Sequence, residues 1–175
     1  ISYGFPVVEA ISKIAEKPMD VHLMIVHPEK YFERFAKVGA SMISFHLEAA
    51  RLEGIDAGDL LCKIKALGVK AGLAVNPDVP IEDVFPYVNK ADYILIMSVF
   101  AGFGGQKFIE ESYSRISAVK KEIDRIGASC EIEVDGGVSP ANALRLGKSG
   151  ASILVAGSSV FKAPDPVKAI SEMRG

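Results

Sequence analysis

Six short runs rich in β-formers alternate with helix-patterned segments along the whole chain. That alternation confines the fold to a parallel sheet covered by helices. The strand-like runs are residues 19–25, 42–48, 69–76, 92–99, 130–135 and 152–156. Helical patterning occupies residues 6–16, 28–38, 56–67, 81–89, 112–126, 140–148 and 166–173. Pro28 suits a first helical turn, and Gly68, Gly127 and Gly150 stand where helices stop. Each expected strand is followed by a helix, with one further helix in front.

Right-handed crossovers leave an open doubly wound sheet or a closed barrel. Strands of an open doubly wound sheet are apolar on both faces, and these are not. Asp20, His22 and Met24 alternate with Val21, Leu23 and Ile25, and Ser44, His46 and Glu48 with Ile43, Phe45 and Leu47. Glu131, Glu133 and Asp135 alternate with Ile132 and Val134. A polar interior face near the mouth of a small barrel accounts for this. Such barrels have eight strands, so the expectation is a (β/α)8 TIM barrel lacking its first two strands and one helix, roughly 40 residues at the unit size of this fold. Residues 1–175 are expected to be one domain, strands three to eight with helices two to eight, because no low-complexity segment or Pro/Gly-rich linker divides them.

The chain is 49% hydrophobic with a net charge of −2, and its Lys and Arg are scattered, which argues against a nucleic-acid or acidic-membrane partner. No apolar run approaches the ~18 residues of a membrane-spanning helix. The opening Ile-Ser-Tyr-Gly has no basic n-region, and Cys62 and Cys130 lack metal-type spacing. Both are expected as reduced thiols in a cytoplasmic protein.

The candidate chemistry lies at strand ends, where barrel enzymes carry it. Asp135 ends its strand before Gly136 and Gly137, a carboxylate placed for proton or metal chemistry with an anion site beside it. His22 suits a metal ligand, an acid/base or a hydrogen-bonded interior histidine. Loops after the last two strands of such barrels commonly bind phosphate, which singles out Gly136, Gly137, Gly157 and Ser158. Gly102, Phe103, Gly104 and Gly105 form a glycine loop suited to phosphate contacts, to a lid or to a plain connection. Met24 and Met97 are core filler or a soft wall against a substrate. His46 and Glu48 are expected to face inward on their strand as supporting polar contacts. Glu131 and Glu133 are expected in buried polar contacts outside the chemistry, and His27 in a solvated loop.

With these residues in place the chain resembles the ribulose-phosphate 3-epimerase family over nearly its whole length. The carrying motifs are Asp20-Val21-His22-Leu23-Met24, Phe45-His46-Leu47-Glu48, Gly72-Leu73-Ala74-Val75-Asn76-Pro77, Gly102-Phe103-Gly104-Gly105-Gln106-Lys107-Phe108, Glu133-Val134-Asp135-Gly136-Gly137-Val138 and Val155-Ala156-Gly157-Ser158. The resemblance implies a (β/α)8 barrel that interconverts D-ribulose 5-phosphate and D-xylulose 5-phosphate through a cis-enediolate. It implies a divalent metal, zinc foremost with iron, manganese or cobalt as alternatives, held by two histidines and two aspartates. His22 and Asp135 match two of those ligands, and Asp135 also matches one of two acid/base aspartates on opposite faces of carbon 3. The Gly102–Gly105, Gly136–Gly137 and Gly157–Ser158 segments match phosphate and substrate loops, and Met24 and Met97 match methionines beside the substrate. A phosphosugar is the implied partner, and a homo-oligomer is expected.

Two departures qualify the resemblance. The family's other metal-binding His and Asp come from a His-x-Asp segment, and these 175 residues contain none. The family's acidic residue or Asn, followed by Pro, before Gly-Phe-Gly-Gly is replaced by Phe100 and Ala101. Residues 49–59 are also a few residues longer than usual. An allulose 6-phosphate 3-epimerase or an inactive phosphosugar-binding barrel are the alternatives. A phosphosugar decarboxylase is disfavoured by the lack of an Asp-x-Lys-x-x-Asp pattern.

Overall fold

Apolar residues at alternate strand positions need a cover, and helices drawn from the intervening segments supply it. In the computed structural model, which describes residues 4–100 and 106–174, six parallel strands lie side by side in chain order. They are β1 (Asp20–Leu23), β2 (Met42–His46), β3 (Lys70–Val75), β4 (Tyr93–Met97), β5 (Glu131–Asp135) and β6 (Ile153–Val155). The helices are α1 (Phe5–Ser12), α2 (Phe32–Lys37), α3 (Leu47–Leu52), α4 (Ala57–Ala66), α5 (Ser112–Ile126), α6 (Pro140–Ser149), α7 (Ser158–Phe161) and α8 (Pro166–Arg174).

Local chemistry sets the helix ends. Asp56 accepts the Asp59 N–H at the start of α4, and Asn142 accepts the Ser139 N–H where Pro140 opens α6. Gly127 ends α5 in the left-handed region, at φ 64°.

The two faces of the sheet differ as the sequence alternation requires. Ile43, Phe45, Leu73, Val75, Ile94, Ile96, Ile132 and Val134 point to the helices and form the main core with Leu60, Leu61, Ile64, Ile116 and Val119. Each such side chain taken from water contributes about 1.5–3 kcal/mol. The other face carries Ala74, Tyr93, Leu95 and Met97 as a small apolar patch among Asp20, His22, Ser44, His46, Glu133 and Asp135.

The sheet curls toward that second face. The Tyr93 hydroxyl of β4 donates to Asp20 of β1 at 3.1 Å. Three steps across a flat sheet, at ~4.8 Å per strand, would put them about 14 Å apart. The result is an α/β half-barrel with β1 and β6 as its two edges among the described residues.

Several element expectations need correction. The second strand stops at His46, and Leu47 and Glu48 begin α3, which the sequence reading missed. Glu48 therefore reaches the site from a helical first turn and not from a strand. After β3 the chain forms a 3-10 helix (Ile81–Tyr87) because Pro86 removes a backbone donor. Residues 28–38 split into a 3-10 turn and α2, and the short α7 was not expected. His27 is in a loop with φ 52°, and its ring faces Glu53 at 3.2 Å and Glu29 at 3.7 Å.

Candidate active site

The C-terminal ends of the strands bring the sequence candidates together. His22 (β1) and Asp135 (β5) come from strands four apart in the sheet, yet His22 Nδ1 is 3.9 Å from Asp135 Oδ2. That separation is beyond hydrogen-bond length, and His22 Nδ1 is a buried atom with no hydrogen-bond partner. Two donors sharing a tetrahedral metal with ~2.1 Å bonds lie about 3.4 Å apart. An imidazole nitrogen and a carboxylate oxygen are donor types that could serve a divalent cation, and at 3.9 Å they stand wider apart than that spacing. Among the described residues no cluster of three His, Cys, Asp or Glu residues could hold a metal ion.

His22 Nε2 lies 2.9 Å from His46 Nε2, with the rings stacked at 4.9 Å between centroids. His46 Nδ1 in turn faces Glu48 Oε1 at 3.7 Å, and that oxygen accepts the Asn76 N–H at 3.0 Å. Arg115 donates to the carbonyls of Asn76 and Val79, which fixes the end of β3. Burial lowers the His22 pKa, and His46 adds to this, while Asp135 opposes it. Burial works against an ionised Glu48, but His46 and the backbone N–H groups of Glu48 and Asn76 outweigh it and hold the carboxyl below its usual value.

Deeper inside, Glu133 is pushed up to about 9, first by burial and then by Asp20 beside it. It is buried among polar groups, as the sequence reading expected, and lies below the mouth, whereas Glu131 is half exposed and pairs with Lys70.

The turn after Asp135 is anchored by a residue the sequence reading passed over. Ser98, just past β4, donates to the Asp135 carbonyl at 2.9 Å and to the Gly136 carbonyl at 2.6 Å. Its only sequence signal was a serine closing an apolar strand. Gly136 and Gly137 have φ 122° and 62°. A Cβ at Gly136 would sit 2.5 Å from Val99 Cγ2, and one at Gly137 2.8 Å from the Phe108 nitrogen. Backbone conformation and packing on the β4 loop thus account for both glycines. At Gly157 an added Cβ would meet nothing within 4 Å. Ser158 opens α7, and the Ser159 hydroxyl donates to the Val138 carbonyl at 2.6 Å, tying the start of α7 to the loop after β5.

Met97 is buried on the inner face beside Leu95 and Tyr93, while Met24 lies past β1 and is partly exposed. Gly102, Phe103, Gly104 and Gly105 lie outside the described residues. So does Ala101, whereas Phe100 is half exposed and its carbonyl accepts from Gln106 across that segment.

The geometry agrees with comparisons to known proteins. The fold is shared with a 3-hexulose-6-phosphate synthase from Salmonella typhimurium (TM-score 0.70, 15% identity, covering 97% of this chain and 78% of that one). It is also shared with a tryptophan synthase alpha-subunit from Pyrococcus furiosus (TM-score 0.66, 15% identity, 97% and 69%). At such identities the likeness speaks for a TIM-barrel-like fold alone. Sequence similarity is narrower. A ribulose-phosphate 3-epimerase from Synechocystis sp. is 45% identical over 174 residues, 99% of this chain and 75% of that protein. One from Bacillus subtilis is 42% identical over 176 residues, 100% of this chain and 79% of that protein. The model of the ribulose-phosphate 3 epimerase family matches residues 1–161, which include every motif named above. With His22 and Asp135 converging at the strand ends that those motifs mark, the chain belongs to the ribulose-phosphate 3-epimerase family.

Proposed function

We propose that the protein epimerises a ketose phosphate at carbon 3, with D-ribulose 5-phosphate and D-xylulose 5-phosphate as its substrate pair. Family membership supports a carbohydrate isomerase. The observation that carries the site assignment is the approach of His22 Nδ1 to Asp135 Oδ2 at the mouth, 3.9 Å apart.

Asp135 accepts the carbon 3 proton on one face of the substrate, or returns it there when the reaction runs the other way. Inversion needs a second carboxylate on the opposite face. In this reading it comes from two further strands that close β1–β6 into an eight-stranded barrel, which makes these the third to eighth strands. His22 and Asp135 would hold a divalent metal, zinc foremost, together with two donors from those strands. When bound, the metal supplies Lewis-acid stabilisation of the oxyanion that develops in the cis-enediolate.

The turn at Gly136 and Gly137 and the start of α7 at Gly157 and Ser158 bind the phosphate through backbone N–H groups. The tie between Ser159 and Val138 supports their acting as one cradle. Met97 and Met24 flank the sugar as polarisable apolar surface. Gly102, Phe103, Gly104 and Gly105 belong with the substrate-binding residues in the same reading.

The test is the native protein's kcat/KM on D-ribulose 5-phosphate against D-allulose 6-phosphate. Preference for the pentose supports the assignment. Preference for the hexose transfers it to the longer sugar, and no turnover of either overturns it.

A further inference from the structure

The turn after Asp135 is held by its carbonyls. Ser98 donates to those of Asp135 and Gly136, Asn142 Nδ2 to that of Gly137 at 3.0 Å, and the Ser159 hydroxyl to that of Val138. In a trans peptide the N–H points opposite to the carbonyl of the same unit, and the described residues contain no cis bond. Holding these carbonyls therefore aims the N–H groups that follow them, those of Gly136, Gly137, Val138 and Ser139. Asn142 Oδ1 accepts the Ser139 N–H at 2.8 Å. The other three N–H groups meet no acceptor among the described residues, although Gly136 and Val138 are buried. A buried N–H is costly without a partner, so these three call for a ligand that accepts.

Asn142 bridges the turn with both ends of one planar amide. Its orientation is fixed by its partners, because a backbone N–H only donates and a backbone carbonyl only accepts. Oδ1 therefore faces Ser139 and Nδ2 faces Gly137. A helix cap needs the first of these bonds alone. The second lies outside α6 and restrains a turn whose two glycines, at φ 122° and 62°, have the most backbone freedom to lose.

We propose that Asn142 is a positioning residue that holds the Gly137 carbonyl back and so presents the Val138 N–H, beside those of Gly136 and Gly137, to the phosphate of the substrate. The inference rests on reading this turn as part of the phosphate site. Asn142 stands on the carbonyl side of the turn, opposite the Val138 N–H, and acts through the backbone without touching the substrate.

The test compares Asn142→Asp with Ala141→Asp in the native protein, by steady-state kinetics on D-ribulose 5-phosphate and by competition with inorganic phosphate. The Asn142→Asp carboxylate keeps an oxygen for the Ser139 N–H and loses the donor to Gly137, and an acidic residue suits the first turn of a helix. Ala141 is exposed in that same turn, so its variant adds an equal charge one residue earlier. Asn142→Asp should raise both KM and the inhibition constant of phosphate about 3- to 10-fold, with a smaller change in kcat. Ala141→Asp should leave both near wild type. An Asn142 that serves only as a cap predicts wild-type constants in Asn142→Asp, and that result overturns the proposal. An equal rise in Ala141→Asp overturns it too, since charge alone would then account for the effect. Failure of phosphate to compete in the wild type overturns the phosphate reading and this proposal together, a result distinct from the loss of the Asn142 role alone.

Discussion

The ring of Tyr93 lies directly over Gly72 on the inner face, and its hydroxyl reaches past β2 and β3 to donate to Asp20 on β1. A Cβ at Gly72 would stand 2.2 Å from Tyr93 Cζ, so the glycine is what lets the ring lie flat on the sheet. This contact joins the fourth strand to the first and draws the half-barrel closed beneath His22. Gly72→Ala should cost about 1–3 kcal/mol by overpacking. Tyr93→Phe should cost about 1–3 kcal/mol by removing the donor to a carboxylate on the inner face. Urea denaturation midpoints check both, and midpoints equal to wild type would mean that the contact does not hold the curl.

Glu133 gives stability a pH dependence. Its carboxyl is raised from the ordinary 4.5 to about 9, first by burial and then by Asp20. Between those values the unfolded chain has released this proton while the folded chain keeps it, so the group's contribution to stability falls as pH rises through the window. Glu133→Gln keeps the shape and a hydrogen-bond donor but cannot ionise. Its denaturation midpoint should therefore decline less than that of wild type from pH 5 to pH 9, and parallel declines would contradict the assignment.

Ser98 holds the turn that carries Asp135. Ser98→Ala leaves the Asp135 and Gly136 carbonyls without the hydroxyl donor, although the Ser98 backbone N–H still donates to the Asp135 carbonyl at 2.8 Å. A loss of about 1–3 kcal/mol in stability is expected from the buried acceptor left unpaired. A turn that also cradles phosphate should show a raised KM with a smaller change in kcat. Steady-state kinetics checks this, and a KM equal to wild type would show that the turn keeps its shape without Ser98.

Much of the layout was legible because strand periodicity is a local property. The alternation of His22 with Leu23, and of Glu133 with Val134, gave the inner and outer faces before any contact was known. Asp135 stood out for a similar reason, since a carboxylate between a β run and two glycines has few structural uses. The sequence was less informative where tertiary contacts decide. Nothing local to Leu47 says that the strand ends at His46 and a helix begins, because its apolar side chain suits either element. The glycines at 72, 136 and 137 answer to Tyr93, Val99 and Phe108, partners distant in sequence from them. The stacking of His22 on His46 depends on β1–β2 register, in which His22 pairs with Ser44 and His46 lies one inward position beyond it.

The central claim is that Asp135 moves the carbon 3 proton at a site it shares with His22. The direct measurement is the interconversion of D-ribulose 5-phosphate and D-xylulose 5-phosphate by the native protein and by its Asp135→Asn variant, followed by NMR in deuterated water, with phosphosugar binding measured in parallel. Removing a general acid/base should lower turnover about 10²- to 10⁴-fold. The account predicts that loss with phosphosugar binding largely retained and deuterium entering carbon 3 only with the wild type. Turnover by Asp135→Asn within a few-fold of wild type would contradict it.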